Sequence, residues 1–126
     1  PNTNLFSEKK MLVAEDDETN FFLLNEYLED TGLELIWVKD GKDVVEFVNK
    51  NPNIDIILMD IQMPEMDGYE ALSIIKPKIP HVPVIALTAF AIHGDKEYAI
   101  DAGFVDYLTK PILRNTLIST IQKYII

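Results

Sequence analysis

Along this chain, short apolar runs without polar alternation are interleaved with stretches whose apolar residues recur every three or four positions. The runs lie at residues 11–14, 35–38, 54–59, 82–87 and 104–108. Runs of this length and character mark strands buried on both faces, as in the interior of a parallel sheet. Between them, Phe21, Leu24 and Leu28 share one helical face, and Val44, Phe47 and Val48 share another. A short helix is predicted around residues 71–75, a weakly amphipathic one over 92–101, and a last one carrying Leu117, Ile121, Tyr124 and Ile125 on one side. Turn residues close each unit: Thr31-Gly32, with glycine suited to a left-handed cap, then Asn51-Pro52, Lys76-Pro77 and Gly103. Gly68 and Gly103 read as turn glycines with positive φ.

Five strands alternating with five helices predict an α/β fold, a doubly wound five-stranded parallel sheet with right-handed crossovers. The chain shows no internal repeat, low-complexity segment or second domain. Residues 1–7 lack periodicity, so residues 1–8 are expected to be a linker or leftover end and 9–126 the folded domain.

Composition narrows the picture modestly. At 126 residues and 48% hydrophobic, the chain can bury a core without disulfides. The lack of cysteine removes thiol chemistry and fits a reducing compartment, so a cytoplasmic location is expected, with any membrane anchor elsewhere in a parent chain. No apolar stretch is long enough to span a bilayer. A net charge of −10, with 11 scattered Lys and Arg, excludes a nucleic-acid surface on this domain.

One regularity joins pattern to chemistry. The first, third, fourth and fifth runs each deliver a polar residue near their carboxyl ends: Glu15-Asp16, Asp60, Thr88 and Lys110. In an open parallel sheet those ends share one edge, where ligands bind. Three carboxylates brought together repel and demand a cation. An oxygen-rich site with few protein ligands suits Mg²⁺, which accepts phosphate oxygens. With the metal offsetting charge, one carboxylate is left as nucleophile, while Lys110 and Thr88 can bind phosphate oxygens. The set reads as a phosphoryl-transfer site.

Four segments carry a family resemblance: Leu12-Val13-Ala14-Glu15-Asp16-Asp17, Met59-Asp60-Ile61-Gln62-Met63-Pro64-Glu65-Met66-Asp67-Gly68, Ala86-Leu87-Thr88-Ala89 and Tyr107-Leu108-Thr109-Lys110-Pro111. In order and spacing they resemble the signature blocks of response-regulator receiver domains of two-component and phosphorelay signalling. The resemblance implies a flavodoxin-like sheet of strand order 2-1-3-4-5. It implies Asp60 as phosphoacceptor, Asp16 as direct metal ligand, Glu15 as an acid reaching the metal through water, and the Gln62 backbone carbonyl as a further ligand. Thr88 would be the switch hydroxyl, Lys110 the phosphate-pairing lysine, and Tyr107 the aromatic that turns inward. The Lys110–Pro111 peptide would be cis. Glu15 departs from the more usual Asp by one methylene, and Gln62 and Phe90 occupy positions that tune phosphate lifetime.

The implied partners are a histidine kinase phosphodonor and a histidine phosphotransfer protein, because His81 and His93 are read as surface residues. The domain is expected as a monomer or weak dimer, with phosphorylation remodelling the fourth helix, fifth strand and fifth helix. It is not expected to be an enzyme beyond its own phosphotransfer and dephosphorylation. The blocks around Thr88 and Lys110 look most like receivers of hybrid sensor histidine kinases, with a stand-alone receiver as the alternative. Two rivals belong to other classes. An Asp-nucleophile phosphatase usually carries a second Asp two residues on, where this chain has Gln62, and a partner-binding pseudo-receiver normally lacks one of the site residues. Trp37 is read as packing.

Overall fold

A computed structural model describes residues 3–89 and 94–125. Its elements run β1 (Lys10–Ala14), α1 (Glu18–Leu28), β2 (Glu34–Val38), α2 (Gly41–Lys50), β3 (Ile56–Asp60), α3 (Gly68–Ile75), β4 (Val84–Thr88), α4 (Asp95–Ala102), β5 (Asp106–Thr109) and α5 (Arg114–Ile125). All four strand pairings are parallel, and the sheet order is β2-β1-β3-β4-β5. The expected doubly wound architecture is therefore the observed one.

Each central strand feeds two cores, because successive side chains point to opposite faces. Leu12, Ala14, Ile57 and Met59 face one side with Val44, Val48, Leu72 and Ile75. Met11, Val13, Ile56 and Leu58 face the other with Leu24, Leu28, Leu117 and Ile121. This two-sided demand explains the runs without alternation. Three of the apolar runs begin before their strands. Ile54, Val82 and Phe104 are buried, yet they lie in the approach to the sheet, so hydrophobicity alone overstates strand length.

Aspartates start the first three helices. Asp17, Asp40 and Asp67 accept hydrogen bonds from the backbone N–H groups of Thr19, Asp43 and Glu70. Each satisfies a donor that the first helical turn leaves without an intrahelical acceptor. After α1, a single 3-10 turn (Glu29–Thr31) ends on Gly32 at φ 81°, the left-handed stop expected there. The fourth helix begins later than its pattern predicts, at Asp95, and Phe90 and His93 lie outside the described residues.

Gly68 corrects one expectation. It does not have positive φ but is the first residue of α3, and the left-handed position in that loop is Glu65 at φ 65°. The reason for glycine is proximity: a Cβ at Gly68 would lie 2.7 Å from the Asp60 carbonyl oxygen and 2.9 Å from the Ile61 Cα. Gly103, at φ 118°, is a left-handed cap as expected.

The N-terminal segment is anchored to the domain through Phe6. Phe6 is only 1% exposed and lies in the core beneath α1 and α5. The backbone N–H groups of Asn4 and Phe6 donate to the carbonyls of Asp30 and Thr31 at 2.9 and 2.7 Å. A lone aromatic in a polar stretch has no periodicity to reveal it. Phe6→Ala should therefore lower unfolding free energy by about 3 kcal/mol in urea titration. A loss below about 0.5 kcal/mol, as at a solvated surface position, would contradict this account of the segment.

Candidate functional site

The strand register sets the site. Ala14 pairs with Met59, so Glu15 leaves β1 level with Asp60 at the end of β3. Asp60 in turn pairs with Leu87, placing Thr88 one step beyond it, and Thr88 pairs with Thr109, just before Lys110. Four polar residues distant in sequence thus meet at one carboxyl edge of the sheet.

Carboxylate oxygens of Glu15, Asp16 and Asp60 all lie within 4.8 Å of one another. Glu15 and Asp60 are buried, and Asp16 is exposed. The Lys110 ammonium bridges the two buried acids, at 2.8 Å from Glu15 Oε1 and 2.6 Å from Asp60 Oδ2. Asp60 Oδ1 accepts the Gln62 backbone N–H at 2.8 Å, while the Gln62 side chain is exposed. Thr88 is buried, and its carbonyl accepts the Lys110 N–H at 2.7 Å. The Lys110–Pro111 peptide is cis.

Tyr107 is half-buried at the start of β5. Its hydroxyl faces Asp95 Oδ2 at 3.4 Å and also bonds the Thr88 side chain. Burial, and then the Asp95 charge, raise its pKa. Thr88 and Tyr107 thus sit on neighbouring strands, within reach of each other.

Charge balance within the site is incomplete. With all groups ionised, three carboxylates face one ammonium and leave a net charge of −2. Burial, together with the hydrogen bond and charge of Asp60, pushes Glu15 up to about 7, against the opposing pull of Lys110 and Asn20. Burial alone would lower Lys110, but its bonds to Asp60 and Glu15 outweigh that and its pKa is raised. A divalent cation would supply the missing two positive charges, and oxygen donors at this spacing suit a hard ion. The donor set fits such a cation on charge, atom type and proximity together.

Two contributors were not legible in the sequence as site residues. Asn20, in the first turns of α1, donates to Glu15 Oε1 at 2.7 Å. Trp37, read as packing, donates its indole N–H to the Glu15 carbonyl at 2.7 Å. Asn20 carried a weak signal, as a polar residue one turn into the helix that follows the acids. Trp37 carried only its place near the carboxyl end of β2.

Known proteins share both sequence and fold with this chain. The sequence model of the response regulator receiver domain matches residues 11–122. The chain is 40% identical over 125 residues to hybrid signal transduction histidine kinase I of Dictyostelium discoideum, covering 93% of this chain but 7% of that protein. It is 37% identical to the polar-differentiation response regulator DivK of Brucella ovis, covering 93% of this chain and 96% of DivK. Among solved structures, the receiver domain of sensor histidine kinase PA1611 from Pseudomonas aeruginosa PAO1, with a magnesium ion coordinated in its active site cleft, superposes with a TM-score of 0.84. That structure is 36% identical and covers 93% of this chain and 97% of its own.

The Glu15 environment gives a pH signature in chelator. Its folded pKa is raised, so the folded chain holds this proton more tightly than the unfolded chain. The associated stabilisation is full below the ordinary carboxylate range and is lost as pH rises through about 7. Relative to Glu15→Gln, the unmodified chain should lose stability between pH 4.5 and about 7 in paired denaturant titrations. A difference that stays flat across that window would contradict the account of Glu15.

Proposed function

Because the chain belongs to the response regulator receiver domain family, and is thus a receiver domain of two-component signalling, we propose that Asp60 is its phosphoacceptor and Glu15, Asp16 and Lys110 its immediate partners. The carrying observation is the Lys110 ammonium at 2.6 Å from Asp60 and 2.8 Å from Glu15, beside three acids within 4.8 Å. A surface aspartate capping a helix would have no part-buried cation at its outer oxygen.

In this reading a carboxylate oxygen of Asp60 attacks the phosphorus of a phosphohistidine. The O–P bond forms as the P–N bond breaks, and the leaving imidazole takes up a proton. The Gln62 N–H holds the other Asp60 oxygen, so the carboxylate presents one oxygen in a fixed direction. Lys110, already at that oxygen, is placed to pair with the incoming phosphoryl group. Asp16, Asp60, the Gln62 carbonyl and Glu15 through water would hold Mg²⁺, which when bound offsets negative charge on the acids and on the transferring group. The magnesium in the cleft of the PA1611 receiver supports that choice of ion.

The Thr88 hydroxyl then donates to a phosphate oxygen. That weakens its bond to Tyr107 and frees the ring to turn inward from Asp95. A biased two-state equilibrium of this kind remodels α4, β5 and α5. Receiver domains take phosphate from histidine kinases, and we assign this chain a kinase donor and a histidine phosphotransfer acceptor. Its likeness to the Dictyostelium hybrid kinase supports a hybrid parent, although DivK shows the same likeness in a protein little longer than one receiver. We place the receiver at residues 9–126, as a monomer or weak dimer, with residues 1–8 as a linker whose Phe6 is docked in the core. Among the described residues no helix is long and apolar enough to cross a membrane, and we assign the domain to the cytoplasm, where kinases meet ATP.

Incubation with phosphoramidate and Mg²⁺ should add one phosphoryl group to the unmodified chain. Asp60→Asn, or excess chelator, should reduce that labelling at least about a hundredfold. Undiminished labelling of Asp60→Asn would overturn the assignment.

A further inference from the structure

The chain contains one tryptophan, and its indole is bonded to the backbone of a site acid. β1 and β2 pair only as far as Ala14 and Val38. The Glu15 N–H still donates to the Val38 carbonyl at 3.0 Å, continuing the ladder by one bond. Beyond Val38 the second strand ends, and the donor to the Glu15 carbonyl is the Trp37 indole at 2.7 Å. The same ring stacks on Phe21 of α1, with centroids 4.6 Å apart and planes at 3°. Lys39 Nζ lies 5.0 Å from its centroid, which further fixes the ring.

Between these two grips lies Asp16. The Trp37 ring holds the carbonyl that precedes Asp16 and packs on the helix that follows it, which Asp17 caps. The plane of the Glu15–Asp16 peptide is thus set by a side chain that touches neither carboxylate. We propose that Trp37 is a positioning residue that preorganises Glu15 and Asp16 for the cation. This rests on the reading of Glu15, Asp16 and Asp60 as a divalent-cation site. An aromatic kept only for packing needs stacking on Phe21 but no donor on Glu15. The two roles therefore separate when the N–H is removed and the ring retained.

Two variants do this. Trp37→Phe keeps an aromatic ring over Phe21, and replacement of Trp37 by 3-benzothienylalanine keeps the bicyclic shape while substituting sulfur for the N–H. Mg²⁺ affinity is read by calorimetry on the metal-free chains, and the phosphorylation rate with phosphoramidate is followed against Mg²⁺ concentration. Loss of a group that orients a metal ligand should raise the Mg²⁺ dissociation constant about tenfold in both variants. The rate at saturating Mg²⁺ should stay within about twofold. In the unmodified chain, the single indole N–H resonance should shift as Mg²⁺ saturates. Unchanged affinity in the benzothienyl variant, with normal binding by the unmodified chain, would overturn the proposal while leaving the site reading intact. A lower rate at saturating Mg²⁺ with unchanged affinity would also overturn it. No saturable Mg²⁺ binding by the unmodified chain would overturn the site reading, and this proposal with it.

Discussion

The Lys110 ammonium, wedged between the Glu15 and Asp60 carboxylates at the carboxyl edge of the sheet, is the contact on which the rest of this site depends. Two acids buried this closely would repel strongly, and removing one partner of a buried charge set is usually destabilising by several kcal/mol. Lys110 tethers β5 to β1 and β3 across the sheet edge, with its own N–H bonded to Thr88. It offsets only part of the charge, since Asp16 adds a third carboxylate. The remainder is a standing demand for a cation beside Asp60.

The fold exists in a form that makes this contact possible. Parallel pairing puts every strand's carboxyl end on one edge, and the register brings Glu15 level with Asp60. Close approach of α3 to that edge requires glycine at position 68, packed on the Asp60 carbonyl. Trp37 and Asn20 then fix Glu15 from the backbone and side-chain sides respectively. On the far flank, Thr88, Tyr107 and Asp95 form a polar chain toward α4. A change of charge at Asp60 thus has a short physical route to a surface helix.

Much of this was legible in the sequence because each signal was redundant. Runs without alternation marked buried strands, polar residues ended four of them, and the residues around Asp60 and Lys110 resembled a known family. Strand starts were less legible, because Ile54, Val82 and Phe104 are as apolar as strand residues but pack from loops. Phe6 was missed because one anchoring aromatic makes no period. Gly68 was assigned the wrong cause, since a glycine selected for close approach looks identical in sequence to one selected for positive φ. Trp37 escaped because its partner is a backbone carbonyl, and backbone acceptors leave no trace in residue type.

On the proposed assignment, Asp60 carries the phosphoryl group as an acyl phosphate. Borohydride reduction of the chain after reaction with phosphoramidate and Mg²⁺, followed by peptide mass spectrometry, reads this directly. An aspartyl phosphate is reduced to homoserine, so the account predicts homoserine at position 60 and unaltered aspartate at position 16. Homoserine at position 16, or a phosphoryl group found only on a histidine, would contradict it.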